Sequence, residues 1–325
     1  MAVSDKRSSR QAAVIIFALV LGAFWTEAQR LSLASTLGGH LPSTLLCFAL
    51  LLAPLWFFGF GAAGLIRKAV PNREWQIALS ALCCLPYVAF SIPRHQFHPT
   101  LAIAMAAFPV ALSALLVYPR IEPRFQWRDG VALLSIAAVL ELQLLSPAWP
   151  YTGLGSFPKL YLADVALYVY LVVRGLEGAG YSFQPSRRTF AIALREWVFF
   201  APIAIGLGLA FKFIAFHPRL PSPLHIAAAV LITFLLTAVP EELFFRGILQ
   251  NLLETRLSKT GALVVASVLF GLSHFHKGAA FNWRYVLLAS IAGIFYGRAW
   301  SAERKVLTSS ITHTAVDVVW SLWFR

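Results

Sequence analysis

Apolar residues along this chain fall into long runs separated by short charged or Pro/Gly-rich breaks. Most runs approach the ~20 residues that carry a helix across a bilayer. The pattern predicts an all-α, polytopic transmembrane helix bundle of about 10–11 spans. The runs lie at 11–28, 41–66, 75–92, 101–118, 131–146, 157–173, 197–216, 223–253, 260–276, 283–300 and 306–324. Between the sixth and seventh, residues 178–197 are polar and basic, with Phe190, Leu194 and Trp197 spaced by four and three. That spacing predicts an interfacial amphipathic helix. Charge and composition change there, which divides the chain into an N-terminal helical bundle, 1–180, and a C-terminal membrane domain, 181–325.

Composition sharpens this picture. Of 325 residues, 59% are apolar and 13% charged, which excludes a water-soluble enzyme and makes the lipid bilayer the main partner. Lys and Arg number 27 against 14 acids. With the N-terminus in the cytoplasm and the runs alternating sides, most of these cations fall on the inner face, as the positive-inside rule requires. The expectation is a multi-pass protein of the plasma (inner) membrane. Lys6, Arg7 and Arg10 precede the first run, but no small-x-small cleavage pattern follows it, so it reads as a retained anchor. No basic arm with interleaved aromatics is present, and nucleic acid is not expected as a partner. Cys47, Cys83 and Cys84 sit inside apolar runs and read as packing residues.

Ionisable groups at membrane depth are costly, so each needs a partner, a wet cavity or a function. They concentrate in the last third: Pro240-Glu241-Glu242 with Arg246, Phe270 with His274, and His313 with Asp317. On a helix, i and i+4 share a face. Glu242 therefore reaches Arg246, and His313 stacks over Asp317. Glu241, about 100° further round, faces another neighbour. This divides the two acids into one neutralised structurally and one left as a base. Pro240 leaves the carbonyl of Leu236 without its usual donor, which loosens the helix just before the pair. Counted from the inner ends of their spans, Glu241, His274, His313 and Asp317 lie at roughly 18, 21, 10 and 17 Å. They converge on one level and predict a pocket open to the cytoplasmic side.

Three motifs in order, Glu-Glu-x-x-x-Arg at 241–246, Phe-x-x-x-His at 270–274 and His-x-x-x-Asn/Asp at 313–317, resemble those of the type II CAAX prenyl endopeptidase and bacteriocin-processing (CPBP, or Abi) intramembrane proteases. The resemblance covers the last 100 to 140 residues. It implies hydrolysis of a peptide bond by a glutamate-activated water, on a small or membrane-associated peptide or protein substrate. Carried over, Glu241 is the general base and His274 holds and polarises the water. His313 and Asp317 orient the scissile carbonyl and stabilise the oxyanion, while Glu242, Arg246 and Phe270 support them. An asparagine at 317 would donate a hydrogen bond, which ionised Asp317 cannot do. Either Asp317 is protonated or it orients His313, which then donates.

No His-Glu-x-x-His helix is present, so no cofactor is expected. The alternative is a zinc ion on Glu241, His274 and His313. Each motif also has a plainer reading: a helix-surface ion pair, an interfacial histidine, a structural His–Asp pair. On those readings the protein is a non-proteolytic transport or scaffold protein that keeps the bundle. Glu141, Lys159 and Asp164 mark either a buried pair or a second, transport-related site in the first half. Lys212, Arg284 and Arg298 are expected to snorkel to the headgroups. His225, His276 and Lys277 are expected on the outer surface.

Overall fold

The computed structural model describes residues 2–118, 122–276 and 281–324, with side chains described from Gln11 onward. The expected positions of Lys277 and of the Lys6, Arg7, Arg10 and Arg120 side chains lie outside those residues. The protein is all-helical, without a strand among the described residues. It divides into two compact units, Met1–Leu176 and Glu177–Arg325.

Unit 1 comprises α1 (Ala2–Arg30), α2 (Leu41–Phe58), α3 (Ala62–Ala69), α4 (Arg73–Arg94), α5 (Pro99–Val117), α6 (Trp127–Glu141) and α7 (Thr152–Val173). The run expected over 41–66 is split after Phe58, where Gly61 adopts a left-handed φ of 87° and starts α3 afresh. The run expected over 131–146 stops at Glu141. Its 15 residues span about 22 Å, short of a bilayer's ~30 Å hydrocarbon core. Arg94 ties the end of α4 to the start of α2 by donating to the carbonyls of Gly38 and His40 and to the hydroxyls of Ser43 and Thr44. Asp129 and Arg174 form a buried ion pair at 2.5 Å. Asp164 is buried and accepts from the backbone of Leu55, just past Pro54, whereas Glu141 is exposed and Lys159 half-buried.

Unit 2 comprises α8 (Arg187–Ala210), α9 (Pro223–Leu253), α10 (Lys259–Leu272), α11 (Trp283–Glu303) and α12 (Val306–Trp323). The separate interfacial helix expected over 178–197 does not form. Instead Ser186 caps a single 24-residue helix that runs straight through Trp197. Its polar first half is accommodated because Glu196, fully buried, is held by Arg195 at 2.7 Å and by Arg298 at 2.9 Å. Arg298 thus turns to a neighbouring helix rather than only to headgroups.

By length and composition, seven helices among the described residues can cross a membrane: α1, α2, α4, α5, α7, α8 and α9. The protein is therefore a membrane protein. Helices α11 and α12 are long enough, at 21 and 18 residues, but too polar to join that set. Six polar residues of α12, Thr308 to Ser310 and Thr312 to Thr314, are buried within the protein, and Asp317 is half-buried. A helix that carries chemistry inward sacrifices the apolarity by which spans are recognised.

Helix α9 deviates at its polar centre. Phe234–Ala238 and Leu243–Gln250 are π-helical and flank an α-helical turn, Val239–Glu242. The amide of Val239 donates to the carbonyl of Phe234, five residues back. This wider turn absorbs the donor that Pro240 lacks, so the helix is loosened where expected without being broken. Helices α10 and α11 pack closely because Gly271 faces Ser290 and the carbonyl of Val286, while Gly293 faces Ser267. This close approach places the C-terminal end of α10 against the N-terminal half of α11.

Candidate active site

The centre of unit 2 holds a half-open cavity of about 120 Å³. That is ample room for a water molecule beside a substrate carbonyl. Glu241, His274, His313 and Asp317, four residues from three helix segments, all line it. The convergence expected from depth along each span is what the coordinates show.

The two adjacent glutamates diverge. Glu242 is fully buried and forms an ion pair with Arg246, whose Nε lies 3.2 Å from its Oε2. Its Oε1 lies 2.9 Å from Nδ1 of His313. A carboxylate only accepts, so His313 donates through Nδ1. Glu241 lines the cavity and places Oε2 3.9 Å from Nε2 of the same imidazole. Asp317 Oδ2 lies 3.4 Å from that Nε2. His313 therefore has acid oxygens beyond both ring nitrogens, an arrangement that favours a donor on each side. Tyr296 stacks on its face at 4.5 Å and 15°, and Phe270 meets it edge-on at 5.7 Å.

His274 lies just beyond α10. Its Nδ1 is 2.9 Å from the carbonyl of Phe270. A carbonyl has no proton to give, so the proton sits on Nδ1 and, in the neutral ring, Nε2 carries the lone pair. The ring packs on Phe270 at 4.9 Å and on Tyr285 at 4.8 Å. Arg246 is fully buried over the Phe270 ring, 4.7 Å from its centre, and donates to the carbonyl of Gly293 at 3.2 Å. Among the described residues, no group of three or more His, Cys, Asp or Glu is set to hold a metal ion.

Most of the rest of the wall is apolar, with Trp197, Phe200 and Ala204 from α8, Ala289 and Ala292 from α11, and Trp320 from α12, and hydroxyls are added by Thr237, Tyr285 and Tyr296. None of these is singled out by the motifs. Tyr285, Ala289, Ala292 and Tyr296 recur at intervals of four, three and four, so the two tyrosines cap a small-residue stripe on one helix face. That periodicity is visible in the sequence and marks the face of α11 that meets the site. The bond between Glu242 and His313, 71 positions apart, has no such local signal.

Residues 223–319 match the family of the type II CAAX prenyl endopeptidase Rce1-like proteins. All three motifs fall inside the matched stretch, which bears out the resemblance there and supports a membrane-embedded protease acting on peptide bonds. No curated protein and no solved structure matches the chain.

Proposed function

We propose that unit 2 is an intramembrane endopeptidase that hydrolyses a peptide bond of a membrane-associated or small peptide substrate by a glutamate-activated water. The observation that carries this reading is the shared cavity lined by Glu241, His274, His313 and Asp317. A water held there donates one proton toward Glu241 and the other toward the lone pair of His274 Nε2. Its oxygen attacks the scissile carbonyl carbon as Glu241 takes the first proton. The carbonyl π pair moves to oxygen, and the oxyanion receives the Nε2–H of His313. When the intermediate collapses, the pair returns, the C–N bond breaks, and the proton on Glu241 passes to the departing amine. The carboxyl product gives the water's second proton to His274 Nε2, which passes it to the amine, so the products are a carboxylate and an ammonium and both Glu241 and His274 are restored.

In this scheme Asp317 accepts from the His313 Nε2–H in the resting site and yields that hydrogen bond to the oxyanion, rather than donating to the oxyanion itself. Glu242, neutralised by Arg246, anchors the opposite ring nitrogen. The reaction as written needs no metal. The zinc alternative on Glu241, His274 and His313 predicts loss of activity on chelation. The protein is placed in the plasma membrane with a cytoplasmic N-terminus, on the charge asymmetry of its loops.

The test compares new peptide termini, by mass spectrometry, in membranes of cells carrying the wild-type protein or Glu241→Gln. Cleavage should vanish in the variant while expression and insertion stay normal, and should survive a chelator in the wild type. A Glu241→Gln protein that still processes its substrate refutes the base assignment, whereas termini identical in cells with and without the wild-type protein favour a silent scaffold.

A further inference from the structure

The tetrahedral intermediate carries a full negative charge in a largely apolar cavity, and effective oxyanion sites aim more than one donor at it. Here position 317 holds an acid instead of an amide, which leaves His313 as the one donor the motifs supply. No Lys or Arg is among the residues lining the cavity, and the hydroxyls that line it outside the motifs belong to Thr237, Tyr285 and Tyr296. The missing donor has to come from outside the motifs.

We propose that Tyr285 is a further catalytic residue, whose hydroxyl donates a hydrogen bond to the developing oxyanion beside His313. Tyr285 lines the cavity and is only partly buried, unlike Tyr296, which is fully buried and spends its ring face on His313. Its ring is fixed on three sides, by His274 at 4.8 Å, Phe213 at 5.3 Å and Trp320 at 5.6 Å. Tyr285 shares the cavity lining with Glu241, His313 and Asp317. Carboxylates accept and do not donate, so in their company the phenol is presented as a donor. Tyr285 keeps its proton throughout, and only the hydrogen bond strengthens as charge builds.

This inference rests on the hydrolase reading, and the experiment separates the two. Full-length protein in detergent micelles is assayed on a pool of internally quenched peptides, as wild type, Glu241→Gln, Tyr285→Phe, Asp317→Asn and the double variant Tyr285→Phe/Asp317→Asn. Phenylalanine keeps the ring packing, so Tyr285→Phe should lower kcat about 10²–10³-fold with KM nearly unchanged and no shift in melting temperature. In the double variant, the amide introduced at position 317 supplies a donor and should recover about ten-fold of that loss. If Tyr285→Phe cleaves at the wild-type rate while Glu241→Gln is inactive, the tyrosine proposal falls and the hydrolase reading stands. A loss of activity matched by a drop in melting temperature and not recovered by the amide assigns Tyr285 to packing and overturns the proposal. A wild-type protein that cleaves nothing in the pool removes the hydrolase reading and this inference with it.

Discussion

Glu241 and Glu242 are chemically identical neighbours whose surroundings separate them. Glu242 lies between the Arg246 guanidinium and the His313 ring, and all three are buried. Removing one member of a buried charged set leaves the others without compensation, at a cost of about 3–5 kcal/mol. Arg246→Met should therefore lower the melting temperature in detergent sharply, because Glu242 keeps its charge with one fewer partner. The double variant Arg246→Met/Glu242→Gln should recover part of that loss, which thermal unfolding of both proteins will read. Equal melting temperatures for single and double variants would contradict the coupling. At this scale the sequence is informative about neighbours along one helix: i,i+4 spacing is enough to pair Glu242 with Arg246 and His313 with Asp317. It is uninformative about which acid His313 bonds, since that depends on how α9 and α12 are rotated against each other.

The elements hold these side chains at the right level. The glycine contacts between α10 and α11 set the distance between His274 and Tyr285. A Cβ at Gly271 would meet the carbonyl of Val286 at 2.5 Å, and backbone cannot turn aside as a side-chain tip can. Gly271→Ala should push the two helices apart, costing about 1–3 kcal/mol as overpacking does, and reduce cleavage as His274 moves. Gly206 on α8 has nothing within 4 Å of the same added atom, so Gly206→Ala should be neutral or slightly stabilising. Melting temperature and activity measured for the pair check both expectations. The positions of most helices follow from hydropathy, and the loosening before Glu241 follows from Pro240. The continuity of α8 through 187–197 does not, because its charged residues resemble an interfacial stripe until Arg298 is brought to Glu196.

On the scale of the whole molecule, unit 2 is closed at one end by Glu303, beyond the apolar part of α11. It accepts from Ser186 and Thr189 at the start of α8, from Lys305, and from Thr308 at the start of α12. Partial burial raises its pKa, but these four donors outweigh burial and hold it down at about 2, against an ordinary 4.5. A depressed carboxylate stabilises the folded state above the unfolded-state value, and that stability is lost as pH falls from about 4.5 to about 2. The melting temperature should drop through that window, and Glu303→Gln should flatten this part of the profile. A variant with an unchanged acid limb would remove Glu303 as its source.

By itself the sequence determined the all-helical membrane architecture, the helix that each chemical residue sits on, and the pairings one helical turn apart. All of these depend on local periodicity and on the cost of polar groups in lipid, which act wherever a residue stands. Tertiary structure alone decided that Glu242 rather than Glu241 grips His313, that Tyr285 and Tyr296 join the site from α11, and that α12 buries most of its polar residues inside the protein. Those outcomes depend on how helices far apart in sequence rotate and approach, a matter settled by glycine contacts and buried ion pairs that no single helix contains.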